Sequence, residues 1–139
     1  MINDSRFMNN TNTNIKIRDF TDLHTWQEGH TLVILIYKIT KSFPKEEMYS
    51  LIDQMRRAAI SITSNIAEEF GRQTYKEKVQ FYYLTQGSLV ELKNQILIAR
   101  DVNHLSKSDF DLLTAQINLT NQLLQGLITK SKSFVNHKS

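Results

Sequence analysis

The sequence predicts an all-α fold, an up-down-up-down antiparallel four-helix bundle, on three observations. The 139 residues include only 4 Gly and 1 Pro, too few for the many turns of a sheet protein of this size. From Asp19 onward, apolar residues recur in steps of three and four through four long segments. The breaks near 42–45, 71–74 and 103–108 are short, which forces successive helices to run antiparallel. Hydrophobic residues at 40% and charged residues at 22% fit a single core with no second domain.

Residues 1–18 hold five Asn and two Thr and no sustained apolar period. They cannot bury enough surface to offset the entropy of ordering and are expected to form a tail. The bundle is expected over 19–132, beginning with a first helix from about Asp22 to Lys41 whose stripe is Leu23, Trp26, His30, Val33, Tyr37 and Thr40. The second helix is expected directly after Pro44, where a missing N–H is harmless in a first turn, with Glu46 and Glu47 at its positive end. Met48, Ile52, Met55, Ala59, Ile62 and Ile66 then repeat until Gly71. Thr74 with Glu77 reads as a capping box opening the third helix, whose seam is Tyr82, Thr85, Leu89, Leu92, Ile96 and Ala99. Ser108 with Asp111 reads the same way for the fourth, with Phe110, Leu113, Ile117, Thr120, Leu124 and Leu127 inward and a basic tail at 133–139.

Several function classes are excluded by what the sequence omits. Cys is 0, which removes disulfides, thiolate nucleophiles and Cys-ligated zinc. His24, His30, His104 and His137 never stand four apart and no Glu-x-x-His occurs, so the di-metal site of ferritin-like bundles lacks its ligands and no metal is expected. Without a Gly-rich phosphate loop or a nucleophile elbow, neither enzymatic activity nor a cofactor is expected. The longest apolar run, Leu32 to Tyr37, is far shorter than the roughly 20 residues of a membrane span, and the Asn-rich start lacks a signal core. A cytoplasmic protein without a membrane partner is therefore expected.

Other features admit two readings. Ala58, Ala59, Ser61 and Ser64 on the second helix face Gly87 and Ser88 on the third. Counting outward from the turn sets Gly87 opposite about Ala59, so close helix approach is favoured over a ligand cleft; the same count pairs Arg56 with Glu91. Asp53, Arg57, Ser61, Ser64 and Glu68 project opposite the seam. They form either a solvated ridge with an Asp53–Arg57 pair or a contact face for another subunit or a polyanion. Leu32, Ile34, Leu35, Ile36 and Ile39 widen the apolar arc of the first helix, which marks a protein interface or deep burial in one subunit. No acidic residue follows Asp111, while Lys130, Lys132, His137 and Lys138 do; anion attraction and plain solubility both account for that.

Asp22–Leu32, Phe43–Arg72 and Gly87–Ala99 carry Phe-Pro-x-Glu, Gln-x-Arg-Arg-Ala, Ser-Asn-Ile-Ala-Glu and Gly-Ser-Leu-x-Glu-Leu in order. Over about Phe20 to Leu127 the chain thereby resembles the bacterial four-helix bundle proteins encoded in intervening sequences of large-subunit ribosomal RNA genes. That superfamily includes the accessory variability determinants of diversity-generating retroelements. The resemblance implies a non-enzymatic bundle that assembles as a ring-like homopentamer. In the retroelement branch it also implies binding of RNA or a DNA/RNA hybrid and of a reverse transcriptase. By position the motif residues are Arg56, Arg57, Ser64, Asn65, Glu68, Gly71, Arg72, Gly87, Ser88 and Glu91. Where the family pattern has Gly after Ser-Asn-Ile-Ala-Glu, this chain has Glu69.

Each subunit carries only +3, but a ring repeats every basic patch, and weak phosphate contacts then act together. The expected nucleic-acid contacts are Arg57, Arg72, Lys130 and Lys132, together with Arg56. The expected function is a non-enzymatic oligomeric nucleic-acid-binding accessory protein. The competing class is a structural scaffold that holds a protein through the arc of the first helix.

Overall fold

A computed structural model of the protein describes residues 16–138, with side chains to Val135. Four helices follow one another: α1 (His24–Thr40), α2 (Leu51–Phe70), α3 (Tyr75–Asp101) and α4 (Lys107–Lys138). Short 3-10 turns at Phe20–Asp22 and Lys45–Glu47 precede α1 and α2, and no strand occurs among the described residues. Each helix packs on the next and α4 returns to α1, which leaves α1 and α3 on one diagonal and α2 and α4 on the other. This is the predicted four-helix bundle. The tail expected at 1–18 lies mostly outside the described residues.

The core follows the apolar period. Leu32, Ile36, Met55, Ile62, Ile66, Leu92, Ile96, Leu113 and Leu124 are fully buried, each worth roughly 1.5–3 kcal/mol relative to exposure. All six seam residues predicted for α3 are buried, as are Ile52 to Ile66 of the α2 seam. The α1 arc is mostly interior too: Leu32, Ile36 and Ile39 are buried and Leu35 packs against the core. With α2 and α4 flanking α1 on two sides, the bundle itself covers most of the wide arc; Ile34 remains exposed, as do His30 and Tyr37 of the stripe expected to face inward.

Three boundaries differ from those expected. Pro44 is followed by one 3-10 turn, not by the second helix. The Glu47 carboxylate accepts from the Ser50 hydroxyl and lies 2.9 Å from His104 Nε2 on the α3–α4 connection, and Ser50 has a non-helical backbone. Met48 is consequently exposed. The cap of α4 is Ser106, whose Oγ accepts from Asp109 N at 3.1 Å. The expected Ser108 and Asp111 lie within the helix, where Asp111 pairs with Lys107 at 3.0 Å. Residues 133–138, expected as tail, continue α4.

The glycines reverse one expectation. Gly87 is exposed, and a Cβ there would meet nothing within 4 Å, so no helix approaches it. The expected α2–α3 register is nearly right: Ser61 Oγ and Ser88 Oγ meet at 2.8 Å. One residue is 100° of helix rotation, however, so Ser88 facing α2 turns Gly87 outward. Close approach occurs at buried Gly29 instead, where a Cβ would stand 3.2 Å from Thr63 Cγ2 and 3.4 Å from Ile62 Cγ2. Arg56 and Glu91 form no ion pair. Arg56 Nε donates to Thr40 Oγ1 at 3.1 Å and its guanidinium lies 4.5 Å over Tyr37, clamping α2 to α1.

Candidate nucleic-acid interface

One end of the bundle gathers the C-termini of α2 and α4 with the N-terminus of α3. The α2–α3 turn is fixed by Thr74, whose Oγ1 accepts from Glu77 N at 3.1 Å and donates to Glu77 Oε1 at 2.9 Å. Glu69 is buried, and Lys78 Nζ reaches both its Oε2 at 3.2 Å and its carbonyl oxygen at 3.1 Å. The Glu69 charge is thus turned inward and paired with Lys78. Behind it the Tyr82 phenol has its pKa pushed up, first by burial and then by the nearby Glu69 charge.

The cations at this end face solvent. The Arg72 guanidinium lies 4.5 Å over the Phe81 ring and 3.9 Å from Glu68 Oε2, an exposed ion pair of little strength. Lys132 Nζ donates to Tyr83 Oη at 3.1 Å. Lys130 is exposed, but two residues along a helix is 200° of rotation, so it projects from the opposite flank of α4. The three predicted contacts therefore ring the end of the bundle and do not form one patch. Arg57 is 78% exposed and bonded to Asp53 at 3.0 Å, about 22 Å along α2 from Arg72. Arg56 is half-buried in its clamp on α1.

Other chemistry is sparse. Among the described residues no group of three or more His, Asp or Glu could hold a metal. His24 sits 3.3 Å from Glu28, which also accepts from Gln116 Nε2 of α4 at 2.9 Å, a tie between α1 and α4. Among the same residues, no helix is long and apolar enough to cross a membrane.

Residues 21–126 match the model of the 23S rRNA-intervening sequence protein family. The chain belongs to that family. A solved structure of a protein with unknown function from the S23 ribosomal protein family of Bacteroides thetaiotaomicron VPI-5482 shares its fold. The TM-score is 0.70 at 15% identity, over 76% of this chain and 95% of that one. No curated protein matches. The structure shows what two of the strings that carry the resemblance do. Asn65 Nδ2 of Ser-Asn-Ile-Ala-Glu donates to the Ser61 carbonyl oxygen at 2.9 Å and to Ser61 Oγ at 3.2 Å, and Ser61 meets Ser88 of Gly-Ser-Leu-x-Glu-Leu. The hydroxyls of Ser61 and Ser88 join α2 to α3, and Asn65 holds Ser61 from the next turn of α2.

Sequence reasoning missed Tyr83 and the outer face of α3. In the Tyr82–Tyr83 doublet one ring is buried, so its neighbour 100° away must turn out. Leu84, Gly87, Glu91, Ile98 and Val102 form a second heptad-like series beside the core seam, and all are exposed. That offset series was the available signal.

Proposed function

We propose that the protein is a non-enzymatic, oligomeric RNA-binding protein of the cytoplasm that grips the phosphate backbone with the basic end of the bundle. The observation that carries this reading is the asymmetry of charge there. Arg72, Lys76, Lys130 and Lys132 are exposed, against two exposed carboxylates, Glu68 beside Arg72 and Glu77 in the Thr74 cap, while Glu69 is buried against Lys78. The family's association with ribosomal RNA genes points the same way. Arg57 is a second contact nearer the other end, with Arg56 behind it. Assembly into a ring, as the resemblance implies, would repeat this end around an axis, and the outer face of α3 is the surface available for it. Five copies would make a pentamer.

The test is a titration of RNA, duplex DNA and a DNA/RNA hybrid at several salt concentrations. Affinity should fall steeply with salt, and an Arg72→Ala, Lys130→Ala, Lys132→Ala variant should lose about one unit of salt slope for each phosphate contact removed. Arg57→Ala should lose less. An unchanged slope in the triple variant would move the site elsewhere.

One observation favours a second reading, a protein scaffold. Leu84, Val90 at 63% exposure, Ile98 and Val102 give α3 an apolar outer side that a protein partner, a reverse transcriptase in the retroelement branch, would cover. Salt-insensitive capture of a purified protein partner, with no nucleic-acid binding at low salt, would establish the scaffold in place of the first reading.

A further inference from the structure

At the basic end, α3 and α4 enclose a shallow groove of about 220 Å³, lined by Lys76, Val79, Gln80, Tyr83, Lys132 and Val135. It is smaller than the roughly 300–1,000 Å³ clefts that hold drug-sized ligands and suits a single flat ring. Its floor is apolar, from Val79, Val135 and the Tyr83 ring. Its rim is polar, and both charged members are lysines. Tyr83 is 44% exposed. Lys132 Nζ is held at the hydroxyl edge of that ring, 3.1 Å from Oη and 5.8 Å from the centroid. Among the described residues, no carboxylate stands within ion-pair distance of Lys76 or Lys132. The groove walls are held together by Tyr75 and Phe134, whose rings stack at 4.7 Å.

An exposed aromatic ring between two cations, over an apolar floor, has the chemistry that binds an unpaired base and its flanking phosphates. A base inside a duplex has both faces covered by its neighbours, so such a groove accepts only a base that is free to unstack. Gln80 stands at the rim with both a donor and an acceptor for a base edge. We infer that this groove is a stacking site for one nucleobase of single-stranded RNA, with Tyr83 as the platform and Lys76 and Lys132 taking the adjacent phosphates. The inference rests on the RNA-binding reading above and narrows it from nucleic acid in general to unpaired strands.

The test measures binding of a short labelled oligouridine, the same oligomer with abasic residues, and an RNA duplex of equal length, each over a salt series. Tyr83→Ala should weaken binding of the oligouridine by about tenfold to a hundredfold, with its salt slope unchanged, because stacking is lost and no phosphate contact is. Its affinity for the duplex and for the abasic oligomer should stay within about twofold of wild type. Tyr83→Phe should bind like wild type. Lys132→Ala should lower the salt slope by about one unit and keep the preference for oligouridine over the abasic strand. Equal binding of oligouridine by wild type and Tyr83→Ala, or equal binding of abasic and normal strands by wild type, would overturn the stacking site and leave the proposed function standing. If wild type binds none of the three even at low salt, both fall together. Because Tyr83 is exposed, an unchanged melting temperature is expected for its variants and separates lost stacking from lost fold.

Discussion

Gly29 and Gly87 both stand in the middle of helices, at a propensity cost of about 1 kcal/mol each relative to Ala, yet their surroundings are opposite. At the α1–α2 crossing, neighbours within the chain account for Gly29, Thr40 and Tyr37. Gly29 admits Thr63 and Ile62, Thr40 accepts from Arg56, and Tyr37 lies under the same guanidinium. On the outer face of α3 nothing in the chain accounts for Gly87, and the apolar residues around it point to solvent. A helical glycine thus marks close approach in one place and an open surface in the other. The first region is explained by folding alone, and the second calls for something outside the subunit.

The largest effect that would break this contrast lies at the crossing. Gly29→Leu should destabilise the protein by about 2–3 kcal/mol in urea unfolding, because the α1–α2 contact has no room for a branched side chain. A neutral result would mean that the helices separate freely there. Next in size is Thr40→Val, which keeps the volume but removes the oxygen that receives Arg56 Nε. A loss of about 1–2 kcal/mol is expected from the stranded donor, again read by unfolding midpoint.

Gly87→Ala should have the opposite sign. With open space around it, the added methyl should stabilise the subunit by about 0.5–1 kcal/mol. Gly87→Leu sharpens the comparison. If another copy packs closely against α3, light scattering should show a smaller assembly at unchanged helicity by circular dichroism, whereas unchanged size would clear this face of the role.

The smallest effect is at the far end, where Glu47 ties the α1–α2 connection to His104. Glu47 has its pKa lowered, first by the Ser50 hydroxyl and then by His104. A depressed carboxylate pKa contributes stability that is present above the unfolded value and is lost as pH falls through the folded one. NMR titration should place Glu47 below the ordinary 4.5, and Ser50→Ala should move it up toward that value. Stability should respond only on the acid side of that range.

Much of this was legible in the chain. Steps of three and four set the core seam of α3 from Tyr82 to Ala99 and that of α2 from Ile52 to Ile66, because burial of a stripe is a local consequence of helical repeat. Thr74 announced the start of α3 because its cap is made within four residues. The start of α2 was hidden, since the Glu47–His104 contact joins residues 57 apart and no local rule foresees it. Among the candidate contacts, charge and position picked out Arg57, Arg72, Lys130 and Lys132. Arg56 is expected beside Glu91 from the sequence, and its engagement by Thr40 and Tyr37 instead depends on how α1 crosses α2.

By itself, then, the sequence determined the number of helices, their order, the buried stripes of α2, α3 and α4 and the family, since each follows from short-range periodicity or from a string of residues. Only the tertiary structure decided which glycine is crowded, which arginine is engaged, and that Glu69 turns inward while Tyr83 turns out. Those outcomes depend on rotation and register between helices. A shift of one residue turns a side chain through 100°, from a neighbour to open water.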